Sequence, residues 1–276
     1  MSLLTAQPSV KGATLQNADF QKVRRIIFDY CGISINEGKE ALVQSRLAKR
    51  MRFLGISSFS DYLDIIESER PNGEFLSFVD VLTTNKTSFY RENKHFEFIE
   101  KHIYPTLNGR SVKWWSAGCS SGEEPITLAM NLLEAGGNVS ARSVKILATD
   151  ISRDVLQIAK SGVYAQHKVG DIPGNYLGKY FTHLPDGSYK VKDEVSRMIT
   201  YGRLNLNDHW PLKGDFQFIM CRNVMIYFNR ATQEKLITKF RDLLEPNGYV
   251  FLGHSESMNA PALGFKNVAP AVYQKI

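Results

Sequence analysis

Long apolar runs are missing from this 276-residue sequence. None approaches the roughly 20 consecutive apolar residues that a membrane-spanning helix needs. The segment Met1 to Gly12 has no basic stretch followed by an apolar one, so no signal peptide is expected. A cytoplasmic protein without membrane insertion is the resulting expectation. Cysteine is scarce: Cys31, Cys119 and Cys221 are scattered and odd in number. They form neither a disulfide framework nor a metal-ligand spacing. The six histidines are dispersed and no HExxH occurs, so no metal site is expected. Repeats and low-complexity tracts are absent as well. Acidic residues are the minority charge, 28 against 34 Lys and Arg, for a net charge of +6. That balance suits a polyanionic partner: nucleic acid, a membrane surface or an acidic protein.

Helical periodicity fills the first part. Phe20, Val23, Ile26 and Ile27 share one face of a helix over 19–30. Val43, Leu47, Met51 and Leu54 form a stripe over 38–54, and Gly55 reads as its C-cap. Shorter helices are expected over 58–68, capped by Ser58 or Ser60, and over 72–84. The texture changes near Asn108–Arg110. Strands are expected at 112–118, 144–150, 198–206, 215–223 and 249–255, with one or two more within 265–276. Helices should separate them near 127–134, 152–160 and 231–244. This alternation predicts an α/β fold, a doubly wound Rossmann-like sheet, following a helical domain. Residues 163–197 break the rhythm with turn signals and one alternating strand, Ser188–Val191, and read as a small inserted subdomain.

The first strand runs into Ser116-Ala117-Gly118-Cys119-Ser120-Ser121-Gly122-Glu123-Glu124-Pro125. A strand, a glycine-containing loop and a helix N-terminus make a nucleotide-cofactor turn, although GxxxG by itself also serves as a plain tight turn. The dinucleotide pattern GxGxxG is missing. Glu123 and Glu124 stand where a pyrophosphate would bind, and would repel it. They suit a ligand with a cationic amine and no phosphate, as in S-adenosylmethionine. Asp150 ends the second strand, where a carboxylate can accept from ribose hydroxyls; the plainer reading is a cap of the next helix. Asn223 and Tyr227 follow the fourth strand, at the edge where open α/β sheets hold their ligands.

Four segments, in order, resemble the chemotaxis receptor methyltransferases of the CheR family: Thr83–Glu92 (TTNKTSFYRE), Ser116–Pro125, Cys221–Phe228 (CRNVMIYF) and Gly253–Glu256 (GHSE). The resemblance spans Thr83 to Glu256, and the helical first part fits as well. It implies a helical docking domain at 1–84, a Rossmann-like methyltransferase domain at 85–276, and an antiparallel β-subdomain inserted at 163–197. The implied cofactor is S-adenosylmethionine, leaving as S-adenosylhomocysteine. Its implied contacts are Asn85, Thr87, Arg91, Glu124, Asp150, Asn205, Leu206, Arg222 and Asn223. Arg91 also resembles the arginine beside the reaction centre, and Tyr227 the pocket tyrosine. Ser88 stands where family members often carry Ala. The turn His183–Ser188 looks shorter than in members that dock a receptor's C-terminal peptide, which leaves such a tether doubtful.

The implied reaction is attack of a glutamate carboxylate on a sulfonium methyl group. With a pKa near ~4.3, the nucleophile is ionised at neutral pH and needs no general base. Arg91 is expected to hold a carboxylate and Tyr227 the substrate side chain; the plain alternative for Arg91 is a salt bridge to Glu92 or Asp80. Lys39, Arg46, Lys49 and Arg50 fall within an arc of roughly 100° on the second helix. With an acidic receptor helix bundle as partner, they read as an electrostatic docking face, and charge reversal at Arg46 and Arg50 together should leave the fold intact. The alternative of a nucleic-acid methyltransferase draws on the positive charge, but Arg222-Asn223-Val224-Met225 lacks the prolines of the Asn/Asp-Pro-Pro-Tyr motif, and no stacking aromatics adjoin the basic face. A silent adaptor and an NAD oxidoreductase fit less well.

Overall fold

The structure, a computed structural model, describes residues 14–107, 111–135 and 144–276. The Met1–Gly12 segment and the Asn108–Arg110 change of texture lie outside the described residues. The chain divides into two compact units, Met1–Thr84 and Asn85–Ile276.

The first unit holds α1 (Asn17–Cys31), α2 (Glu40–Leu54), α3 (Phe59–Ser68) and α4 (Glu74–Leu82). Gly32 and Gly55 end α1 and α2 in the left-handed region that glycine adopts without a Cβ clash. Ser58 caps α3, its hydroxyl accepting from the Asp61 N–H. The stripe Val43, Leu47 and Met51 is buried, but Leu54 on the last turn is 38% exposed, so the apolar face stops one turn short of the expectation.

Two arginines of α2 are spent inside this unit. Arg46 donates to the Leu82 and Thr83 carbonyls and to Thr84 Oγ1. Arg50 makes a two-pronged bond to Glu74, Nε–Oε1 2.7 Å and Nη2–Oε2 2.6 Å, and Tyr62 donates to the same carboxylate. The expectation that charge reversal at Arg46 and Arg50 leaves the fold intact is therefore corrected. Lys39 and Lys49 are exposed, while Arg46 and Arg50 tie α2 to α4 and the segment after it.

The second unit is built on a seven-stranded sheet of order β6-β2-β1-β7-β8-β10-β9. Its strands are β1 (Val112–Ala117), β2 (Val144–Asp150), β6 (Ile199–Arg203), β7 (Phe216–Cys221), β8 (Leu244–Leu252), β9 (Phe265–Ala269) and β10 (Val272–Lys275). The first five in spatial order are parallel; β10 runs antiparallel to both neighbours. Helices α6 (Glu123–Ala135), α7 (Arg153–Ser161) and α10 (Arg230–Leu243) link parallel strands. β1 and β7 are buried nearly throughout, as strands covered on both faces must be. Trp114 and Trp115 are fully buried on opposite faces of β1, and each indole N–H has a partner, Gln217 Oε1 and Thr149 Oγ1.

Two features differ from the sequence reading. The 94–106 stretch, left unassigned there, is α5 (Lys94–Phe98) continued by a π turn and a 3-10 turn, held by buried Phe96, Ile99 and Ile103. Helix α6 begins at Glu123, four residues before its expected start at Thr127. The insert is a separate three-stranded antiparallel sheet of β3 (Val163–Tyr164), β5 (Tyr189–Val191) and β4 (Phe181–His183), with α8 (Gly174–Tyr180) and α9 (Asp193–Ser196). Its β4–β5 turn is tight: Asp186 accepts from both the N–H and the hydroxyl of Ser188.

Candidate functional site

Strand order reverses beside β1, where β2 and β6 continue to one side and β7 and β8 to the other. In an open parallel sheet this switch point opens a crevice beyond the carboxyl ends of the strands. Here it is bounded by the loop after β1, the end of β2 and the loop after β7.

The β1 loop is shaped by its glycines. Gly118 (φ +85°) and Gly122 (φ +94°) occupy the left-handed region. A Cβ on Gly118 would lie 2.5 Å from a Val224 methyl, and one on Gly122 would lie 2.9 Å from the Ala159 Cβ. The first glycine thus lets the β7 loop close in; the second lets α7 close in.

Asp150 locks this loop to β2. Its Oδ2 accepts from Ser120 N and its Oδ1 from Ser152 N, both at 2.9 Å. The Asn85 carbonyl accepts from Ser120 Oγ at 3.0 Å, bringing the TTNKT segment to the same loop. Leu204 N donates to the Asp150 carbonyl, so Asn205 and Leu206, which follow β6, start beside the end of β2. The Asn205 side chain accepts from Asn207 N, and its carbonyl from Trp210 Nε1.

The two glutamates after Gly122 have different fates. Glu123 is fully buried; Ser121 donates to it, Lys168 stands 3.9 Å away, and burial pushes its carboxyl up. It does not face a ligand, which corrects the reading of a paired-carboxylate mouth. Glu124 remains partly exposed, accepting from Ser116 Oγ at 2.7 Å and from Arg222 at 3.0 Å.

Arg222 is the hub. Its side chain is 2% exposed. Nη1 meets Glu124, Nη2 meets Glu92 Oε2 at 3.2 Å and donates to the Arg91 carbonyl, and the guanidinium lies 5.5 Å from the Phe96 ring centroid. Glu92 Oε1 accepts from Asn223 Nδ2 at 3.2 Å. Burial pushes Glu92 up, but Arg222, Asn223 and the His254 N–H outweigh it and leave the carboxyl below its ordinary value. Tyr90, Glu92, Ser120 and Asn223 all have positive φ near 50–60° (54°, 54°, 49° and 58°). Such backbone is sterically costly and persists where surrounding bonds hold it. The Arg91 guanidinium bonds the Lys86 carbonyl at 2.7 Å; Glu92, its expected salt-bridge alternative, is bound to Arg222 instead.

Sequence reasoning assigned no role to Glu256, the last residue of GHSE. Buried, it accepts from Gly253 N at 2.6 Å, Asn223 N at 2.8 Å and Ile226 N at 3.1 Å. It thereby clamps the loop after β7 to the end of β8. A Cβ on Gly253 would fall 2.5 Å from Asn223 Nδ2, so the clamp also needs glycine there. The available signal was a carboxylate three residues after a glycine at a strand end. Tyr227 closes a 3-10 turn, Met225–Tyr227, half-buried, and no described residue hydrogen-bonds its hydroxyl. A cavity of about 440 Å³ shares Met225 with that turn but includes none of the assigned cofactor residues.

Of the residues singled out in the sequence, Arg91 (through its carbonyl), Glu124, Arg222 and Asn223 thus share one hydrogen-bonded network, and Asn85 and Asp150 meet at Ser120 in a second, both beside the crevice. Asn205 and Leu206 adjoin it through the chain, whereas Thr87 and Tyr227 lie on its flanking segments.

Comparison with known proteins agrees with this architecture. Residues 85–273 match the CheR methyltransferase, SAM binding domain, and residues 18–83 match the CheR methyltransferase, all-alpha domain. The chain is 37% identical over 269 residues to a chemotaxis protein methyltransferase of Borreliella burgdorferi, covering 93% of this chain and 94% of that one. It is 36% identical over 249 residues to the chemotaxis protein methyltransferase of Escherichia coli, covering 89% and 86%. A third relative, chemotaxis protein methyltransferase 2 of Pseudomonas aeruginosa, is 37% identical over 260 residues, covering 92% of each. The chain belongs to the CheR family of S-adenosylmethionine-dependent methyltransferases.

Proposed function

We propose that this protein transfers a methyl group from S-adenosylmethionine to glutamate side chains in the cytoplasmic helices of chemoreceptors, forming methyl esters in chemotactic adaptation. The observation that carries the reading is the full-length likeness to chemotaxis protein methyltransferases, together with a crevice whose residues suit a cationic, phosphate-free cofactor. Glu124 and Asp150 put carboxylates at this crevice. No glycine-rich GxGxxG turn is there to hold a pyrophosphate.

S-adenosylmethionine supplies an electrophilic methyl group on a sulfonium centre. In this reading Asp150, oriented by two backbone N–H groups, accepts from the ribose. Glu124, fixed by Ser116 and Arg222, faces the amino-acid end. Asn85, Thr87, Asn205, Leu206, Arg222 and Asn223 complete the cofactor contacts. Arg91 orients a carboxylate and Tyr227 offers its hydroxyl to the substrate side chain. The attacking oxygen is already anionic, so the residues of this site orient and dehydrate rather than remove a proton. The opposite charges of carboxylate and sulfonium would partly cancel in the transition state, a change that a dry crevice favours over water.

Receptor recognition rests on the exposed Lys39 and Lys49, with Arg46 and Arg50 committed within the helical unit. Binding of a receptor's C-terminal peptide is not part of the proposal. Among the described residues no helix is long and apolar enough to cross a membrane.

The test is transfer of labelled methyl to a purified chemoreceptor cytoplasmic domain, followed by mild base. Label on the receptor, released as methanol, is the expected result. Label on nucleic acid, or none on the receptor, would overturn the assignment.

A further inference from the structure

His95 is a buried base without a proper partner. It sits on α5, 1% exposed, and neither ring nitrogen has a hydrogen bond of good geometry, although the Pro270 carbonyl acts on the ring. Leaving a buried polar group unpaired is costly, so such a group calls for an explanation. Two other donors converge on it. Glu92 Oε2 stands 3.8 Å from His95 Nδ1, and the His254 ring centroid lies 4.8 Å from that of His95. One donor atom from each of Glu92, His95 and His254 falls within 4.8 Å of the other two.

From this convergence we propose that Glu92, His95 and His254 form a site for a zinc-type divalent cation. Two imidazoles and one carboxylate make a donor set that suits zinc and its first-row neighbours better than magnesium or calcium. A tetrahedral ion with bonds of about 2.0–2.2 Å needs its ligand atoms somewhat closer than they stand, a movement of about an ångström. The exposed His254 can supply it by a side-chain rotation. The outer shell is already built: Asn223 and Arg222 hold the Glu92 carboxylate. His95 closes the inner side, and exposed His254 leaves a route to solvent for the ion and for a fourth, water ligand.

This differs from the expectation that scattered histidines exclude a metal site. His95 and His254 are 159 positions apart, and only the fold brings the α5 segment against the loop after β8. The proposal does not depend on the methyltransferase reading, and its test reads metal binding alone.

Untagged, chelator-treated full-length protein is titrated with Zn²⁺ by calorimetry and with Co²⁺ by visible absorption. One equivalent is expected to bind, with the intense Co²⁺ bands of a four-coordinate site. His254→Ala is at the surface and should keep the fold while weakening binding at least tenfold. His95→Gln should do the same, whereas His209→Ala, at another exposed histidine, should bind as wild type. Absence of stoichiometric binding, or binding that survives His254→Ala unchanged, would overturn the site. The three cysteines are buried and do not compete.

Discussion

Arg222 Nη1 lies 3.0 Å from Glu124 Oε2, across 98 residues of sequence, while Nη2 of the same guanidinium holds Glu92. One arginine therefore joins the first turn of α6, the segment before α5 and the end of β7. Arg222→Met should cost about 3–5 kcal/mol of stability, because both carboxylates lose a buried partner. Arg222→Lys should recover little, since an ammonium cannot reproduce the planar fork. Denaturant unfolding with S-adenosylhomocysteine calorimetry checks both. Wild-type stability for Arg222→Met would show the network to be incidental.

Glu256→Gln should weaken the clamp between the loops after β7 and β8. Two of the three N–H donors converge on one oxygen, Oε2. Replacing either oxygen by an NH2 leaves at least one donor facing another donor, at about 1–3 kcal/mol. The expected fall in Tm is about 2–4 °C per kcal/mol for a domain of this size. Because Asn223 is displaced, KM for S-adenosylmethionine should rise as well. A changed Tm with unchanged KM would confine Glu256 to stability.

Charge reversals on α2 should separate structure from docking. Arg50→Ala leaves the Glu74 carboxylate, 9% exposed, without its two-pronged partner and should cost about 1–3 kcal/mol. Lys39→Glu with Lys49→Glu should change stability by less than about 0.5 kcal/mol, as exposed positions do. The lysine pair should instead raise KM for receptor and reduce its salt dependence, with cofactor affinity unchanged. Steady-state kinetics at about 0.1 M and 1 M salt, where the Debye length is about 10 and 3 Å, gives the contrast. Normal KM in the lysine pair at low salt would move docking off this helix.

The rate of methyl transfer, with cofactor saturating, should be flat between about pH 6 and 8, because the glutamate nucleophile is ionised throughout. The buried His95 cannot introduce a limb there. Burial first, then Arg222 and His254, hold it down to about 4, so it stays neutral across that range. Below about pH 5 the rate should fall as the substrate carboxylate takes up its proton. A steep rise between pH 6 and 8, abolished by mutating a histidine, would require a general base.

The cysteines should be inert in the folded chain. Cys31, Cys119 and Cys221 are all buried, and burial pushes each thiol up, Cys31 to about 12. Alkylation at pH 8 should label none of them natively and all three in denaturant. Native labelling of Cys119 would mean that the loop after β1 opens.

Local pattern carried most of the fold. The stripe Val43-Leu47-Met51, the cap at Gly55 and the buried strands around Trp114 and Phe218 follow from side-chain period and backbone freedom, which are properties of neighbours in sequence. Glycines 118 and 122 likewise marked the loop that borders the crevice. In the α5 stretch Phe96, Ile99 and Ile103 do recur at a helical spacing, but the helix changes pitch within two turns, which blurs the period.

Partner choice was not legible in the same way. Arg46 and Arg50 read as part of a docking face because helical period gives the direction of a side chain and says nothing of what waits there; the α4 segment supplied Glu74 and three oxygen acceptors. Glu123 and Glu124 are adjacent letters, yet 100° of helical rotation buries one and leaves the other at the crevice. Sequence alone determined most of the elements, their order and the family. Tertiary structure decided which charges are spent on one another, because a long-range ion pair is set by the approach of strand ends and helices that no local pattern encodes. The Arg222 hub, the Glu256 clamp and the meeting of His95 with His254 all arise at that level.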